Sequence, residues 1–364
     1  MLAASVTACG VILGLDEPIL DNTIGDGQAG DSSGGDAGTD SPSQNDASGD
    51  GSVGAPTQLF NARVWRFAMD DASVYYTEIF DEVVGRIGKD GTGQVSLANG
   101  QTAAGIYPEA IALDDTNVFW SSTQGIHECA KAGCANTSID IIDDYSPGNY
   151  GPGAIGVDAT KIYFVNYNEN TQVSSILTVP KGVADAGVST LVAEGHICAN
   201  IDTMVLYGTY LYYTCMDGPV GRVTTTTGTV QVLSAAGAPM GADKFVSNGT
   251  SLYYGEFIDQ ATIYQMPIVA DAGSNPLVLM QSYPNGIDID PLYLYWVDVG
   301  VTLDNGDGTL NRCALSQCST STVKLVGSID VPDEVMVDDT TIFYSSYGNG
   351  DTPNTGIWSL PKPP

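Results

Sequence analysis

The side chains best suited to chemistry in this chain are acids and amides that recur at two fixed places around seven copies of an aromatic doublet. One series lies five residues before a polar turn, and the other lies two residues after the doublet. The acids and amides are Glu109, Asp202, Asp243, Asn285 and Asp333 in the first series, and Glu78, Asn166, Glu256 and Asp298 in the second. Carboxylate and amide oxygens are ligands that Ca²⁺ and Mg²⁺ prefer. If the repeats form a ring, the pattern predicts a metal or ligand site at its central opening. The alternative is that these acids are solvated on the rim without a role.

The elements that must position these residues are strands. Each copy, such as IALDDTNVFW (Ile111–Trp120), alternates apolar residues, breaks at a polar turn and resumes into two adjacent aromatics, which predicts a strand, a turn and a second strand. The first aromatics of the doublets recur every 41 to 49 residues, at Tyr75, Phe119, Tyr163, Tyr212, Tyr253, Tyr295 and Phe343. A period of this length with all-strand content is typical of a β-propeller with four strands per blade. We therefore predict an all-β, seven-bladed propeller, with a six-bladed ring and one divergent flanking repeat as the alternative.

The last repeat ends without an outer strand, whereas Gln58–Phe60 precedes the first repeat and reads as the missing strand. We predict that this segment pairs with Gly356–Leu360 and closes the ring by completing the last blade. Pairing of this kind satisfies an otherwise exposed strand edge.

The doublet signature, an Asp followed four residues later by an aliphatic residue and then two aromatics, is often followed by a strand such as Val84-Gly85-Arg86-Ile87. Over residues 58–362 this pattern resembles bacterial secreted propellers of the broad YWTD/NHL/TolB-like type, especially lipoprotein propellers with Gly/Asp-rich tethers. The resemblance implies the fold and an exported protein. Its motifs are structural, so they imply little about function.

When six of the seven cysteines are placed in the repeats, they fall into three pairs of neighbouring positions. This predicts three disulfides: Cys129–Cys134, Cys198–Cys215 and Cys313–Cys318. Disulfides would place the protein in an oxidising compartment. A metal site at Cys129, Cys134 and His127 is the alternative, although the two C-x₄-C pairs lie in blades too far apart to share one ion.

The seventh cysteine, Cys9, ends the stretch Val6-Thr7-Ala8-Cys9, which resembles a bacterial lipobox. We expect Cys9 to be lipidated, residues 1–9 to be the end of a signal peptide that begins further upstream, residues 10–56 to be a disordered acidic tether, and residues 57–364 to be the propeller. The alternative is that Cys9 is an ordinary thiol in a disordered tail.

The net charge of −31 disfavours binding to nucleic acid and adsorption to anionic membranes. We therefore expect membrane contact only through the lipid anchor. We also expect a monomer, and the lipobox and the predicted disulfides indicate a location outside the cytoplasm, at a bacterial outer membrane or cell surface.

The sequence has no G-x-S-x-G, H-E-x-x-H or P-loop motif. We expect a binding module for an envelope protein, a peptide or a glycan. The alternative is a divalent-metal hydrolase or lyase that uses the acidic mouth, which loosely resembles the carboxylate and Asn sites of propeller lactonases. Enzymatic activity is left open.

Overall fold

The computed structural model describes residues 54–99, 107–123, 125–134, 139–142, 153–216, 218–234, 244–256, 262–270, 272–279, 284–300, 306–348 and 355–363. Their regular elements are β-strands, which form seven antiparallel sheets of four strands each. The prediction of a seven-bladed all-β propeller is confirmed, and the six-bladed alternative is wrong. Across the described ranges, the search for a helix able to span a membrane finds none.

The strands follow the chain from the inner to the outer edge of each blade. After β1 (Thr57–Phe60), blade 1 contains β2 (Val64–Met69), β3 (Ser73–Glu78), β4 (Val83–Gly88) and β5 (Val95–Asn99). Blade 2 contains β6 (Pro108–Leu113), β7 (Asn117–Ser122), β8 (Gly125–Ala130) and β9 (Ile139–Ile142). Blade 3 contains β10 (Ile155–Val157), β11 (Lys161–Asn168), β12 (Val173–Pro180) and β13 (Ser189–Val192). Blade 4 contains β14 (Ile201–Tyr207), β15 (Tyr210–Cys215), β16 (Gly221–Thr224) and β17 (Val230–Val232).

The remaining blades repeat this order. Blade 5 contains β18 (Phe245–Ser247), β19 (Ser251–Glu256), β20 (Thr262–Pro267) and β21 (Asn275–Leu279). Blade 6 contains β22 (Pro284–Ile289), β23 (Tyr293–Asp298), β24 (Gly308–Ala314) and β25 (Val323–Ile329). Blade 7 contains β26 (Pro332–Val337), β27 (Thr341–Ser346) and β28 (Gly356–Pro361), and its outer strand is β1.

The ring closes between the two ends of the propeller. β1 pairs antiparallel with β28, with Gln58 opposite Trp358 and Phe60 opposite Ile357. The predicted closure is thus confirmed, and the pairing ties the first strand of the propeller to the last.

The aromatic doublet lies in the second strand of every blade and joins that blade to both neighbours. Because successive side chains of a strand point to opposite faces, the two rings point in opposite directions. Tyr75 packs in the cluster between blades 1 and 2, whereas Tyr76 packs in the cluster between blades 7 and 1. All seven doublets divide their rings in this way among the seven hydrophobic clusters found between neighbouring blades. The repeat signature is therefore the signature of blade-to-blade packing.

The antiparallel order gives the propeller two faces, which we name here. The entry face carries the beginnings of the inner strands and the ends of the second strands. The turn face carries the turns between first and second strands and the hairpins between third and fourth strands. The inner strands β2, β6, β10, β14, β18, β22 and β26 surround the central channel.

Four lysines link neighbouring blades on the turn face. Each follows the third strand of one blade and donates to the turn aspartate of the preceding blade; the pairs are Lys131–Asp70 (3.0 Å), Lys181–Asp114 (2.5 Å), Lys362–Asp290 (2.7 Å) and Lys89–Asp338 (2.9 Å). Each ammonium group also lies 5.3–5.4 Å from the centroid of the first aromatic ring of that preceding blade. We call these contacts the interblade lysine links.

Candidate binding site at the channel mouth

A network of charged residues lies where the inner strands begin. Lys244 Nζ, just before β18, donates to Glu334 Oε1 of β26 at 2.6 Å. The backbone N–H of Phe67 donates to Glu334 Oε2 at 2.7 Å. Arg66 Nη1 of β2 donates to Asp333 Oδ2 at 2.5 Å, and Arg66 Nε lies 3.8 Å from Glu334 Oε1. These contacts join blades 1, 5 and 7, and we call Arg66, Lys244, Asp333 and Glu334 the mouth network.

Two adjacent acids can both reach the cations because the pairing of β26 with β27 is irregular. The register shifts between Pro332 and Val335, so the strict alternation of side chains is interrupted there. Asp333 and Glu334 are each only 9% exposed. Buried carboxylates are costly unless they are paired and hydrogen-bonded, and Arg66 and Lys244 supply that pairing.

Glu109, in β6, is the acid of the first predicted series whose electrostatics are best defined. Removal of water from around its carboxyl group raises the pKa of Glu109 to about 7, and the nearby positive charge of Arg66 offsets only part of this effect. At neutral pH this group therefore takes up or releases a proton inside the mouth.

Glu78, at the end of β3, is likewise altered by its surroundings. Burial raises the pKa of Glu78 to about 7, and the neighbouring carboxylate of Asp81, with which it shares a hydrogen bond, contributes in the same direction.

Four other members of the two predicted series have hydrogen-bond partners, which lie in the same blade for Asn166, Glu256 and Asp298 and in the neighbouring blade 7 for Asn285. The contacts are Asn285 Nδ2 to Pro332 O (3.1 Å), Asn166 Nδ2 to Ser175 Oγ (3.4 Å), Tyr264 Oη to Glu256 Oε2 (3.0 Å), and Thr309 Oγ1 and Asn311 Nδ2 to Asp298 Oδ2 (2.6 and 2.8 Å). Asp202 lies half-buried in β14, and Asp243 lies outside the described residues. The structure therefore brings Asp333 into the mouth network, whereas Asn166, Asn285, Glu256 and Asp298 bond to other side chains or to the backbone.

In this structure the carboxylates of the mouth network are engaged by cationic side chains. Within the described ranges, no three His, Cys, Asp or Glu side chains group closely enough to hold a metal. Asp333 and Glu334 already balance the charges of Arg66 and Lys244. The predicted Ca²⁺ or Mg²⁺ site stays a prediction, with its Asp243 ligand outside the described residues.

An aromatic cluster around Arg63 borders the mouth network on the entry face. The guanidinium carbon of Arg63 lies 3.9 Å from the centroid of the Phe80 ring and 4.8 Å from that of Tyr347. The Trp65 ring meets the Tyr347 ring edge-on at 5.7 Å. Phe80 is 48% exposed, so its ring is accessible on this face. We call Arg63, Trp65, Phe80 and Tyr347 the rim cluster.

The rim cluster touches the mouth network through Trp65, because the guanidinium of Arg66 lies 4.6 Å from the centroid of the Trp65 ring. Unlike Arg66, Arg63 has no carboxylate within ion-pair distance among the described residues. Its Nε atom is buried without a hydrogen-bond partner. A buried donor without an acceptor costs free energy, which calls for a physical explanation.

Sequence reasoning missed the basic and aromatic half of this site. Arg66, Lys244 and Glu334 all occupy the position directly after the first predicted series, four residues before the turn. Examining that next position in the repeat would have found all three. Arg63, Phe80 and Tyr347 lie in loops outside the repeat pattern, and their sequence carries no signal that they meet.

His127 forms hydrogen bonds in the order of a Ser-His-Asp triad. Its Nε2 lies 2.8 Å from Ser122 Oγ and its Nδ1 lies 2.8 Å from Asp140 Oδ1, while its ring stacks on Trp120 at 5.2 Å. Ser122 is fully buried, so its hydroxyl group is closed to a substrate in this conformation. The imidazole instead connects β7, β8 and β9.

The three predicted disulfides are confirmed, with Cα–Cα distances of 5.1 Å for Cys129–Cys134, 6.3 Å for Cys198–Cys215 and 4.8 Å for Cys313–Cys318. The metal alternative at Cys129 and Cys134 is therefore wrong. Cys198–Cys215 lies on the entry face, and the two short bridges close hairpins on the turn face. Three disulfides point to an oxidising, extracellular type of location.

Comparisons with known proteins identify the fold. No protein-family model matches the chain, and no curated protein matches it. Among solved structures, the Pan2 WD40 domain of Neurospora crassa is similar at 10% identity and a TM-score of 0.61, over 86% of this chain and 97% of that one. The extracellular domain of the putative hybrid two component system BT4673 from B. thetaiotaomicron is similar at 10% identity and a TM-score of 0.59. That match covers 84% of this chain and 39% of the other.

Identities this low show the fold alone. The fold and the site together define a seven-bladed β-propeller with three disulfides and a charged channel mouth bordered by exposed aromatic rings.

Proposed function

We propose that this propeller is an exported binding module, held at a bacterial cell envelope by a lipid on Cys9, and that it binds its ligand on the entry face. The ligand we propose is an envelope protein, a peptide or a glycan. The acidic tether of residues 10–56 would give the propeller reach from the membrane. Cys9 and the tether lie outside the described residues and enter the proposal on their sequence.

The rim cluster is the observation that carries the proposal. Exposed aromatic rings and arginine are the side chains that dominate binding energy at interfaces. Here they converge on one edge of the channel mouth, although nothing in the doublet packing requires an exposed Phe80. The disulfides support export, because they persist in oxidising compartments.

The proposal is tested by probing an array of envelope glycans and peptides with the labelled full chain. Phe80→Ala removes the exposed ring, and Tyr207→Ala is its matched control, because Tyr207 is 47% exposed on the turn face. We expect at least one ligand class whose binding falls tenfold or more in Phe80→Ala and is unchanged in Tyr207→Ala. Binding that is absent, or equal in both variants, contradicts the proposal.

Titration of the full chain with Ca²⁺ and Mg²⁺ in a calorimeter tests the metal-dependent alternative. A tight site that is lost in Glu109→Gln would favour a lactonase-like hydrolase over a binding module. We expect no such site, because the carboxylates of Asp333 and Glu334 are engaged by Arg66 and Lys244.

A further inference from the structure

The direct ion pairs of the mouth network leave Arg63 without a carboxylate partner among the described residues. In direct ion-pair contact, Arg66 and Lys244 are balanced by Asp333 and Glu334. Arg63 is not balanced by any carboxylate of the described residues, in a protein whose net charge is −31. A lone arginine beside this mouth is therefore open to an anionic group from a ligand.

The stacking of Arg63 prepares it for such a group. The rings of Phe80 and Tyr347 lie 3.9 and 4.8 Å from the guanidinium carbon, and they limit its rotation and its hydration. The faces of a stacked guanidinium are covered, so its N–H groups bind within the plane, where they match the two oxygens of a carboxylate. Arg63 also shares a side-chain hydrogen bond with Tyr347, which helps to fix the guanidinium, and its Nε atom is buried, so a ligand would bind through the terminal Nη groups.

We propose that the rim cluster binds a sugar residue that carries a single carboxylate, such as a terminal uronic acid; this inference rests on the proposed binding function. Arg63 pairs with the carboxylate, and the exposed ring of Phe80 stacks against the sugar face. Asp81 and Glu82 follow Phe80 in the same loop, so a ligand with many negative charges is repelled.

A sugar fits the rim cluster better than a peptide carboxyl terminus does. Peptide carboxylates are commonly captured by clustered backbone N–H groups. The rim cluster offers instead one side-chain cation and broad ring faces, of which Phe80 is 48% exposed. An aromatic ring beside a planar cation matches a sugar that presents the C–H face of its ring to the aromatic side chain and its carboxylate to the guanidinium.

The experiment is calorimetry of the full chain with a trisaccharide whose only charged residue is a terminal glucuronic acid, and with the same trisaccharide ending in glucose. We expect the acidic probe to bind roughly 10- to 100-fold more tightly, because hydrogen bonds to charged groups contribute about 1.5–3 kcal/mol. Arg63→Gln should abolish this preference, and Phe80→Ala should weaken both probes. Lys324→Gln removes an exposed lysine of β25 and should change neither.

The variants also separate binding from folding. Arg63→Lys keeps the charge but loses the forked geometry, so we expect it to retain only part of the preference. Thermal unfolding of each variant shows whether the fold is intact. If Arg63→Gln is unstable, the two probes are still compared on the unmodified chain and on Phe80→Ala. Equal affinities of the unmodified chain for the two probes overturn the inference.

A peptide pair, ending in a free carboxylate or in an amide, separates failure of this inference from failure of the proposed function. Arg63-dependent binding of the peptide acid without binding of the sugar acid overturns the inference and leaves the binding module standing. Binding of none of the four probes also overturns it. The proposed function falls as well only if no array ligand depends on Phe80.

Discussion

Lys244 Nζ lies 2.6 Å from Glu334 Oε1, so a lysine of blade 5 meets a carboxylate of blade 7 across the channel. Blade 6 lies between these two blades in the ring. The contact therefore connects two blades that are not neighbours in the ring, whereas the hydrophobic clusters connect only neighbouring blades. The mouth network adds a connection across the mouth to the contacts that each inner strand already makes with the neighbouring inner strands.

Replacing Lys244 with Met should destabilise the propeller by about 1–3 kcal/mol. Loss of one partner from a fully buried ion pair costs about 3–5 kcal/mol, and the expected cost is smaller here because the Lys244 side chain is 18% exposed and Arg66 lies close to Glu334. Denaturant unfolding of the oxidised protein measures the difference.

The control for this variant is Lys324→Met, which removes an exposed lysine of β25 and should change stability by no more than about 0.5 kcal/mol. Glu334→Gln and the double variant complete a cycle that isolates the coupling. A coupling energy near zero would show that Lys244 and Glu334 do not interact in solution.

The interblade lysine links predict how the protein responds to acid. Partial burial works against ionisation of Asp70, but hydrogen bonds from Lys131 and from the backbone of Ala72 and Ser73 outweigh it and lower its pKa to about 2. A lowered pKa contributes stability above the unfolded value of about 3.9, and this stability is lost as the pH falls towards 2. Asp114, Asp290 and Asp338 shift in the same direction.

Asp70→Asn should therefore have a lower melting temperature than the unmodified protein at pH 7. At pH 2 the difference between the two melting temperatures should be smaller. Asp71→Asn is the matched control, because Asp71 is the exposed neighbour outside the link. If the two variants follow the same pH curve, the link between Lys131 and Asp70 does not contribute to acid stability.

The fold was readable from the sequence because the doublet does a single packing task seven times. Tyr75 and Tyr76 must each reach a different neighbouring blade, and this requirement leaves two adjacent aromatic residues in every repeat. The lysines of the interblade links also recur in the sequence, since Lys89, Lys131 and Lys181 follow corresponding strands. Their partners could not be predicted, because the contacts form between blades.

The mouth was harder to predict because the inner strands are irregular where they begin. Register shifts fall between Val64 and Arg66 in β2 and between Pro332 and Val335 in β26. A rule of strict alternation therefore selects Asp333 and passes over Glu334. The rim cluster was beyond prediction, because Arg63, Phe80 and Tyr347 come from three loops that only the closed ring brings together.

Glu109→Gln should stabilise the protein at pH 8 and have little effect at pH 4. Burial raises the pKa of Glu109 to about 7, so the folded state prefers the protonated form. The contribution of the protonated carboxyl is fully present below the unfolded value of about 4.3 and is lost as the pH rises through 7. Glutamine imitates the protonated form at every pH.

We expect the melting temperature of Glu109→Gln to exceed that of the unmodified protein by roughly 2–4 °C at pH 8, as measured by calorimetry. Glu194→Gln, an exposed acid after β13, is the control and should follow the unmodified protein at both pH values. A destabilised Glu109→Gln at pH 8 would mean that the charged carboxylate supports the fold through Arg66.

His127 should be structural, despite its hydrogen bonds to Ser122 and Asp140. Ser122 is fully buried, so a fluorophosphonate probe, which reacts with activated and accessible serines, should leave it unlabelled. His127→Ala should lower stability by about 1–3 kcal/mol, because it removes two hydrogen bonds and the stacking on Trp120. The only other histidine, His196, is exposed, so His196→Ala is the control and should have little effect. Labelling that maps to Ser122 and disappears in His127→Ala would contradict this view and reveal a nucleophilic site between β7 and β9.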